Sequence, residues 1–210
     1  MAYKIKSSIK RIKDLDFSKE VVIDKLTAKK EIVERQYAEY KRAWPTLPEK
    51  DIWERLNEFV LKDNIFAKAV PMALKSYEVK IVDNDIKELK ADFIKHYPNF
   101  SKSPDSFVEG MIKQTLIKDL LINDLAKYWK VQATDNEAKA TFERMYVAAE
   151  GLKSVHEYIN DPGTINWVKG LIIRDKTVNM LVSKVKYKID WESIKKYNDE
   201  YKAKLAKEKK

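Results

Sequence analysis

Few side chains in this sequence have the type and spacing that catalysis or metal binding requires. Asp92 and His96 lie four positions apart, so on a helix they share one face and could together contact a metal ion. Two ligands rarely hold a metal without a third, and we therefore expect an ordinary surface ion pair. His156 stands beside Glu157, and we expect it to be a solvated surface residue. We predict no metal site.

The other carboxylates do not indicate an enzyme either. Asp83 and Asp85 are spaced like cap and first-turn residues of a helix, where a negative charge favours the helix dipole, rather than like a general acid and base. The sequence has no glycine-rich phosphate loop, Walker sequence, zinc-type His/Cys spacing or nucleophile elbow. We therefore predict no catalytic residues and no cofactor.

The positive charge is confined to the two ends of the chain. Residues 1–13 carry a net charge of +5 and residues 202–210 a net charge of +4, which together account for the total of +9. The remaining residues carry 32 basic and 32 acidic side chains, whereas a duplex-binding domain gathers positive charge on its folded face. We divide the chain into a basic N-terminal arm at 1–17, a helical domain at 18–190, and a basic C-terminal amphipathic helix or tail at 191–210.

The composition indicates a cytoplasmic protein. The 210 residues include no cysteine, which fits a reducing compartment. The first residues lack the apolar region of a signal peptide, and no run approaches the roughly 18 to 20 apolar residues that span a bilayer. We predict a soluble cytoplasmic location with no membrane partner.

Apolar periodicity, prolines and caps predict a mainly α-helical fold. Short extended segments are expected near 20–23 and 77–81, where β-branched or alternating residues occur. Helices are expected over 27–44, from a cap at Thr46 or Leu47 with Pro48 in the first turn to a break or kink at Pro71, from an Asp83 cap to Pro98, and over 106–129.

Further helix starts follow a sharp break at 128–133. Thr134 and Glu137 form a capping box, in which each side chain satisfies a backbone N–H near the start of a helix. Ser154 with Glu157 repeats this spacing. Asp161-Pro162-Gly163 predicts a turn, after which Thr164 is expected to cap a last long helix.

This order of elements resembles the C-terminal, substrate-cradling part of the trigger factor family and the similar helical core of the SurA chaperones. The resemblance covers roughly residues 20–187 and extends upstream through the segments 56–66 and 77–83. There the chain is similar to small stand-alone relatives of that cradle in bacteria with reduced genomes. A ribosome-docking loop and an isomerase domain are missing, so ribosome docking and prolyl isomerisation are not implied.

The resemblance implies an elongated, multi-helix cradle with two helical arms and a cleft between them. A weak repeat agrees with two arms: Asp83-Asn84 matches Asp135-Asn136, and 110–112 matches 170–172. Chance similarity between lysine-rich helices explains this repeat equally well.

The implied function is that of an ATP-independent holdase for unfolded or nascent polypeptides. Large, soft and aromatic residues are its binding candidates, because a flexible thioether or a ring can pack against unrelated clients. Most of the large apolar residues must form the core, and we expect about a third to line the cleft. The cleft candidates are Phe66, Met72, Tyr77, Phe93, Tyr97, Phe107, Met111, Met145, Tyr146 and Trp167, within a wider set that includes Trp44, Leu74 and Phe100.

Two other classes of function stay open. The basic ends suit a nucleic-acid-associated protein, or a weak electrostatic contact with ribosomes. Alternatively, the cleft suits an adaptor that holds one dedicated partner helix. The sequence does not distinguish a monomer from a dimer.

Overall fold

The computed structural model describes residues 3–28, 30–147 and 158–208, apart from the side chains of residues 146, 147 and 200–208. The fold is mainly α-helical, as predicted. The helices are α1 (Lys30–Ala43), α2 (Glu49–Leu74), α3 (Asp83–His96), α4 (Asp105–Tyr128), α5 (Asp135–Val147), α6 (Pro162–Lys184) and α7 (Trp191–Glu208), with a 3₁₀ turn at Pro98–Lys102. The strands are β1 (Ser8–Arg11), β2 (Val21–Ile23), β3 (Tyr77–Lys80) and β4 (Tyr187–Ile189), so the extended segments predicted near 20–23 and 77–81 are confirmed.

The chain divides into two compact units that do not follow its order. One unit comprises the chain up to Asp16 together with Val70–Val131; the other comprises Phe17–Ala69 and the chain from Gln132 onward. The division predicted at residues 17 and 190 differs from this one. The difference arises because strands near the N-terminus pair with residues far along the chain, which charge and composition do not reveal.

The first unit incorporates part of the predicted basic arm into a sheet. Strand β1 pairs antiparallel with β3, and Ser8 lies opposite Lys80 while Arg11 lies opposite Tyr77. The guanidinium of Arg11 also stacks on the ring of Tyr128, 3.3 Å from its centroid. A basic residue of the arm therefore has a fixed place in the fold.

Asp85 fastens the N-terminal segment to the first turn of α3. Its fully buried carboxylate accepts hydrogen bonds from the Tyr3 hydroxyl at 2.5 Å and from the backbone N–H groups of Lys6 at 3.0 Å and Ser7 at 2.5 Å. The helix begins at Asp83 with Val82 as its cap residue, and no side chain caps it, so the predicted Asp83 cap is wrong. The carboxylate that forms hydrogen bonds near this helix start belongs to Asp85, two positions after Asp83. It bonds to residues of the N-terminal segment and not to the first N–H groups of α3.

The core of the first unit lies between α3 and α4. Ile86 of α3 packs with Val108, Ile112 and Leu116 of α4. The three α4 positions recur every four residues, so they form one apolar stripe along that helix.

A left-handed residue ends α4 and produces the predicted break. Lys130 has φ of 54°, and the N–H of Val131 bonds the carbonyl of Ala126 at 2.9 Å. This is the six-to-one bond of a Schellman ending, which closes a helix by reversing the backbone. The chain leaves the first unit directly after this point.

In the second unit, α5 packs against α6 and both begin with side-chain caps. The capping box is confirmed: the Thr134 N–H bonds the Glu137 carboxylate at 2.9 Å, and the Glu137 N–H bonds the Thr134 hydroxyl at 3.2 Å. The predicted Thr164 cap is wrong, because Asp161 is the cap residue and accepts from the Thr164 N–H at 2.6 Å. The expected box at Ser154 and Glu157 lies outside the described residues.

A parallel strand pair and a capped helix complete the second unit. Strand β2 pairs with β4, which places Val21 beside Tyr187 and Ile23 beside Ile189. Asp190 then caps α7 by accepting from the Ser193 N–H at 3.1 Å. The C-terminal segment predicted to be a helix or tail is therefore a helix over Trp191–Glu208.

Prolines mark the end of α1 and the start of α2. α1 ends before Pro45, as predicted, and α2 begins at Glu49 directly after Pro48. Helix α2 does not end at Pro71 but continues to Leu74.

Candidate functional site

Three helices of the second unit border an open groove of about 880 Å³. Ligand pockets fall in the range of roughly 300 to 1,000 Å³. The lining consists of Gln36, Glu39, Tyr40, Arg42 and Ala43 from α1 and Trp44 directly after it; Glu137, Ala140, Thr141, Arg144 and Met145 from α5; and Leu171, Ile172, Asp175 and Lys176 from α6. On each helix the spacing of these residues places most of them along one face. We call this space the α1 groove.

Large apolar side chains remain accessible inside the α1 groove. Trp44 is 42% exposed, Met145 42% and Leu171 38%. They come from the end of α1, from α5 and from α6, so each of the three walls contributes to the apolar surface. A concave apolar surface of this kind is the usual location of a binding site.

Aromatic contacts hold α1 against α2. The Tyr37 hydroxyl donates to the Glu49 carboxylate at 3.0 Å, and the Tyr37 ring lies 5.3 Å from that of Trp53. The guanidinium of Arg55 lies 4.8 Å from the Trp44 ring. None of the described side chains of α1 is buried, so this wall depends on edge contacts rather than on a core.

Next to Trp44, Tyr40 forms the inner part of the same wall. Their ring centroids are 5.7 Å apart. Burial raises the pKa of the Tyr40 hydroxyl, an effect that the charge of Arg55 partly opposes. The hydroxyl is therefore neutral at physiological pH, and this wall presents two uncharged rings.

Ion pairs fix the opposite walls. Lys176 of α6 bonds the Glu137 carboxylate at 2.5 Å and the Gln132 carbonyl at 3.0 Å. Lys169, about two turns before Lys176 on α6, pairs with Asp135. The pKa of Glu137 is lowered, chiefly by the hydrogen bond from Lys176. The capping box that begins α5 is thus also a tie between α5 and α6.

A smaller groove of about 280 Å³ adjoins the α1 groove along α6. Phe59 and Phe66 of α2 line it together with Val178 of α6. Leu171 and Asp175 border both grooves. Leu171 is therefore the apolar residue that the two grooves share.

The structure separates the predicted cleft residues of the second unit. Met145 lines the α1 groove and Phe66 lines the smaller one. Trp167 is 50% exposed on α6 but lines neither groove. The side chain of Tyr146 lies outside the described residues.

The candidates of the first unit differ in exposure, although the rings of Phe93 and Tyr97 pack together with centroids 4.9 Å apart. Tyr77 is buried, with its hydroxyl bonded to Asp124 at 2.8 Å, so it is a core residue and not a cleft residue. Phe93 packs on the core, and Met72 and Met111 are half-buried. Tyr97 and Phe107 are 57% and 58% exposed.

The sequence predictions missed most of the α1 wall. Trp44 belongs only to the wider set of candidates, and Tyr40 is not among them. The four-residue spacing of Gln36, Tyr40 and Trp44 is the available signal, because it places the three on one helical face.

The described residues show no metal-binding constellation. His96 Nδ1 lies 3.6 Å from an exposed Asp92 carboxylate, and within the described ranges no group of three or more potential ligands gathers. His156 lies outside those ranges. No helix within them is both long enough and apolar enough to cross a bilayer.

Comparisons with known proteins find relatives in Mycoplasma species. No family model matches the chain. The uncharacterized protein MG377 of Mycoplasma genitalium is 25% identical over 191 residues, which cover 89% of this chain and 95% of that protein. Its Mycoplasma pneumoniae homologue is 24% identical over the same shares of the two chains. The crystal structure of the hypothetical Mycoplasma protein MPN555 matches 88% of this chain and 92% of its own, with a TM-score of 0.70 and 21% identity. This similarity shows a shared fold, and none of these names states an activity.

Proposed function

We propose that the protein is an ATP-independent holdase of the cytoplasm, related to the trigger factor cradle, that binds apolar segments of unfolded polypeptides in the α1 groove. The single observation that carries the proposal is the exposure of Trp44, Met145 and Leu171 in one concave surface. A soluble chain rarely leaves such residues together unless a partner covers them. The resemblance found in the sequence supports the same class of partner.

The exposed areas imply weak and reversible binding. About two-fifths of each of these three side chains remains to be covered, which corresponds to about 1 kcal/mol per residue. Their sum is well below the roughly 8 kcal/mol of a micromolar complex. A short segment should therefore exchange rapidly, and an unfolded chain with several such segments should bind better through multivalency. Release then needs no nucleotide.

Aggregation suppression tests the proposal most directly. The wild-type protein should suppress aggregation of three unrelated denatured proteins at a near-stoichiometric ratio. Leu171→Glu places a charge where both grooves meet, so it should raise the half-suppressing concentration about fivefold, equivalent to about 1 kcal/mol. Failure of the wild-type protein to suppress any of the three would refute the proposal.

Trp167→Glu is the matched control. Trp167 lies one turn before Leu171 on the same helix and is more exposed, but it lines neither groove. This variant should suppress aggregation as well as the wild type, with the helical content of both variants checked by circular dichroism. Equal loss in the two variants would show that the α1 groove is not the binding surface.

A further inference from the structure

We infer that the α1 groove selects apolar segments that also carry carboxylates. The inference rests on the proposed function and specifies its substrate class. It follows from how the charges of the groove are paired: every lining carboxylate has a cation, and two lining arginines have no acidic partner in the described part of the chain.

The acidic residues of the groove are already paired. Glu137 bonds Lys176 at 2.5 Å, and Asp175 bonds Lys62 at 3.1 Å. Glu39 pairs with Arg35 at 4.0 Å along α1. Two of these three cations, Lys62 and Arg35, stand outside the groove lining, so they neutralise groove carboxylates without using the groove's own arginines.

The two arginines of the lining have no carboxylate partner among the described residues. Within the described ranges Arg144 donates to neutral acceptors of its own helix, the Ala140 carbonyl at 3.2 Å and the Thr141 hydroxyl at 3.4 Å. These bonds orient its guanidinium without neutralising it. Arg42 is exposed on the facing helix α1. The lining carries three acidic and three basic residues, but Lys62 and Arg35 from outside it pair with two of its carboxylates, so Arg42 and Arg144 keep their charges available beside the apolar surface.

Arginine is rare in this chain but recurs at the α1 groove. The chain contains 36 lysines and only six arginines, yet Arg42 and Arg144 line this groove and Arg55 stacks on its Trp44. A guanidinium presents a rigid fork that matches a carboxylate with two hydrogen bonds, which a lysine ammonium does not. Trp44, Met145 and Leu171 favour apolar neighbours in the same ligand. Carboxylates next to apolar side chains satisfy both features, whereas a nucleic acid would leave Met145 and Leu171 without an apolar partner.

Fluorescence anisotropy with two matched peptides tests the inference. The peptides are short, labelled and rich in Leu and Phe, and they differ only in carrying Glu or Gln at the same positions. The Glu peptide should bind the full-length protein about three- to tenfold more tightly, and this preference should decrease as salt is added. In the double variant Arg42→Gln, Arg144→Gln the two peptides should bind equally, because the preference for the Glu peptide is lost.

A control variant of equal charge separates local contacts from net charge. Lys30→Gln with Lys41→Gln removes two positive charges from α1 at positions that do not line the groove. The peptide preference should persist in this variant. Its loss there would overturn the inference, because the preference would then depend on overall charge.

The remaining outcomes distinguish the inference from the proposed function. Equal binding of both peptides by the wild-type protein would overturn the carboxylate preference and leave the holdase proposal standing. Binding of neither peptide would refute both. Displacement of the Glu peptide by single-stranded DNA, lost in the double arginine variant, would overturn the inference by reassigning the arginines to phosphate.

Discussion

At the scale of single residues, Asp85 shows how one carboxylate can determine the place of a whole segment. Burial alone would raise the pKa of its carboxyl group. The hydrogen bonds from Ser7, Tyr3 and Lys6 outweigh that effect and lower the pKa to about 2. The charged form is therefore the one that holds the N-terminal segment on α3.

The stability of the first unit should depend on pH through this group. Because the pKa of Asp85 is lower in the folded than in the unfolded protein, its ionised carboxylate stabilises the folded state at pH values above 3.8, the ordinary pKa of the group. This stabilisation is lost as the pH falls from about 4 to about 2. Asp85→Asn removes the charge, so it should lower the urea midpoint at pH 7 and flatten the change of the midpoint between pH 5 and pH 3. Urea unfolding followed by circular dichroism at these pH values measures both effects.

Asp83→Asn is the control for this prediction. Asp83 is exposed, lies two residues earlier in the same helix, and makes no side-chain cap. Its substitution should leave both the midpoint at pH 7 and its acid dependence almost unchanged. If Asp83→Asn and Asp85→Asn behaved alike, the acid sensitivity would come from the helix dipole and not from the bonds to Tyr3, Lys6 and Ser7.

At the scale of elements, the start of α5 is a cap whose contribution can be measured. Thr134→Ala removes the hydroxyl that accepts from the Glu137 N–H, and such a loss costs about 1 kcal/mol. The free energy of unfolding in urea should fall by that amount. The groove should retain its shape, since Lys176 still bonds Glu137.

Thr141→Ala makes the same chemical change in the middle of α5. There alanine is the better helix former, so the free energy of unfolding should stay the same or rise slightly. A loss as large as that of Thr134→Ala would show that threonine packing, and not the cap, accounts for the effect.

The elements that could be predicted from the sequence are those defined by short-range signals. The capping box at Thr134, the α1 end before Pro45 and the break after Tyr128 all depend on residues within a few positions of one another. The steric limits of proline and the reach of a cap side chain act at that range, so sequence spacing is sufficient evidence.

Long-range partners account for what the sequence did not reveal. Strand β1 pairs with β3, and β2 with β4, across intervals of about 70 and 166 residues. The bonds of Asp85 to the N-terminal segment also join residues nearly 80 positions apart. Residue spacing carries no information about such pairs, and the same is true of a groove built from three separate helices. Composition identified the apolar residue types, but only the fold separates buried Tyr77 from accessible Leu171.

At the scale of the whole molecule, the charge distribution separates two possible activities. The central part of the sequence is formally neutral, while the two ends carry the entire excess of +9. The α1 groove lies on residues of the central part. Client holding and any electrostatic contact with ribosomes should therefore respond to different substitutions.

Neutralising the ends tests this separation. Lys→Gln substitutions at Lys4, Lys10, Lys13, Lys202, Lys204 and Lys207 remove six of the nine net positive charges and leave Arg11 on Tyr128. Ribosome co-sedimentation at low salt should fall strongly, because charges at the ends act through a screened, long-range attraction. Aggregation suppression should stay within about twofold of the wild type, since its affinity comes from apolar area.

A second variant with six Lys→Gln substitutions controls for the change in net charge. It replaces six exposed lysines of the central part by glutamine: Lys87, Lys95, Lys102, Lys113, Lys127 and Lys186. It lowers the total charge equally but keeps both basic ends, so ribosome co-sedimentation should exceed that of the first variant. Equal sedimentation of the two would mean that overall charge, and not its location, governs the contact. Loss of aggregation suppression in the end-neutralised protein alone would place client binding on the ends rather than in the α1 groove.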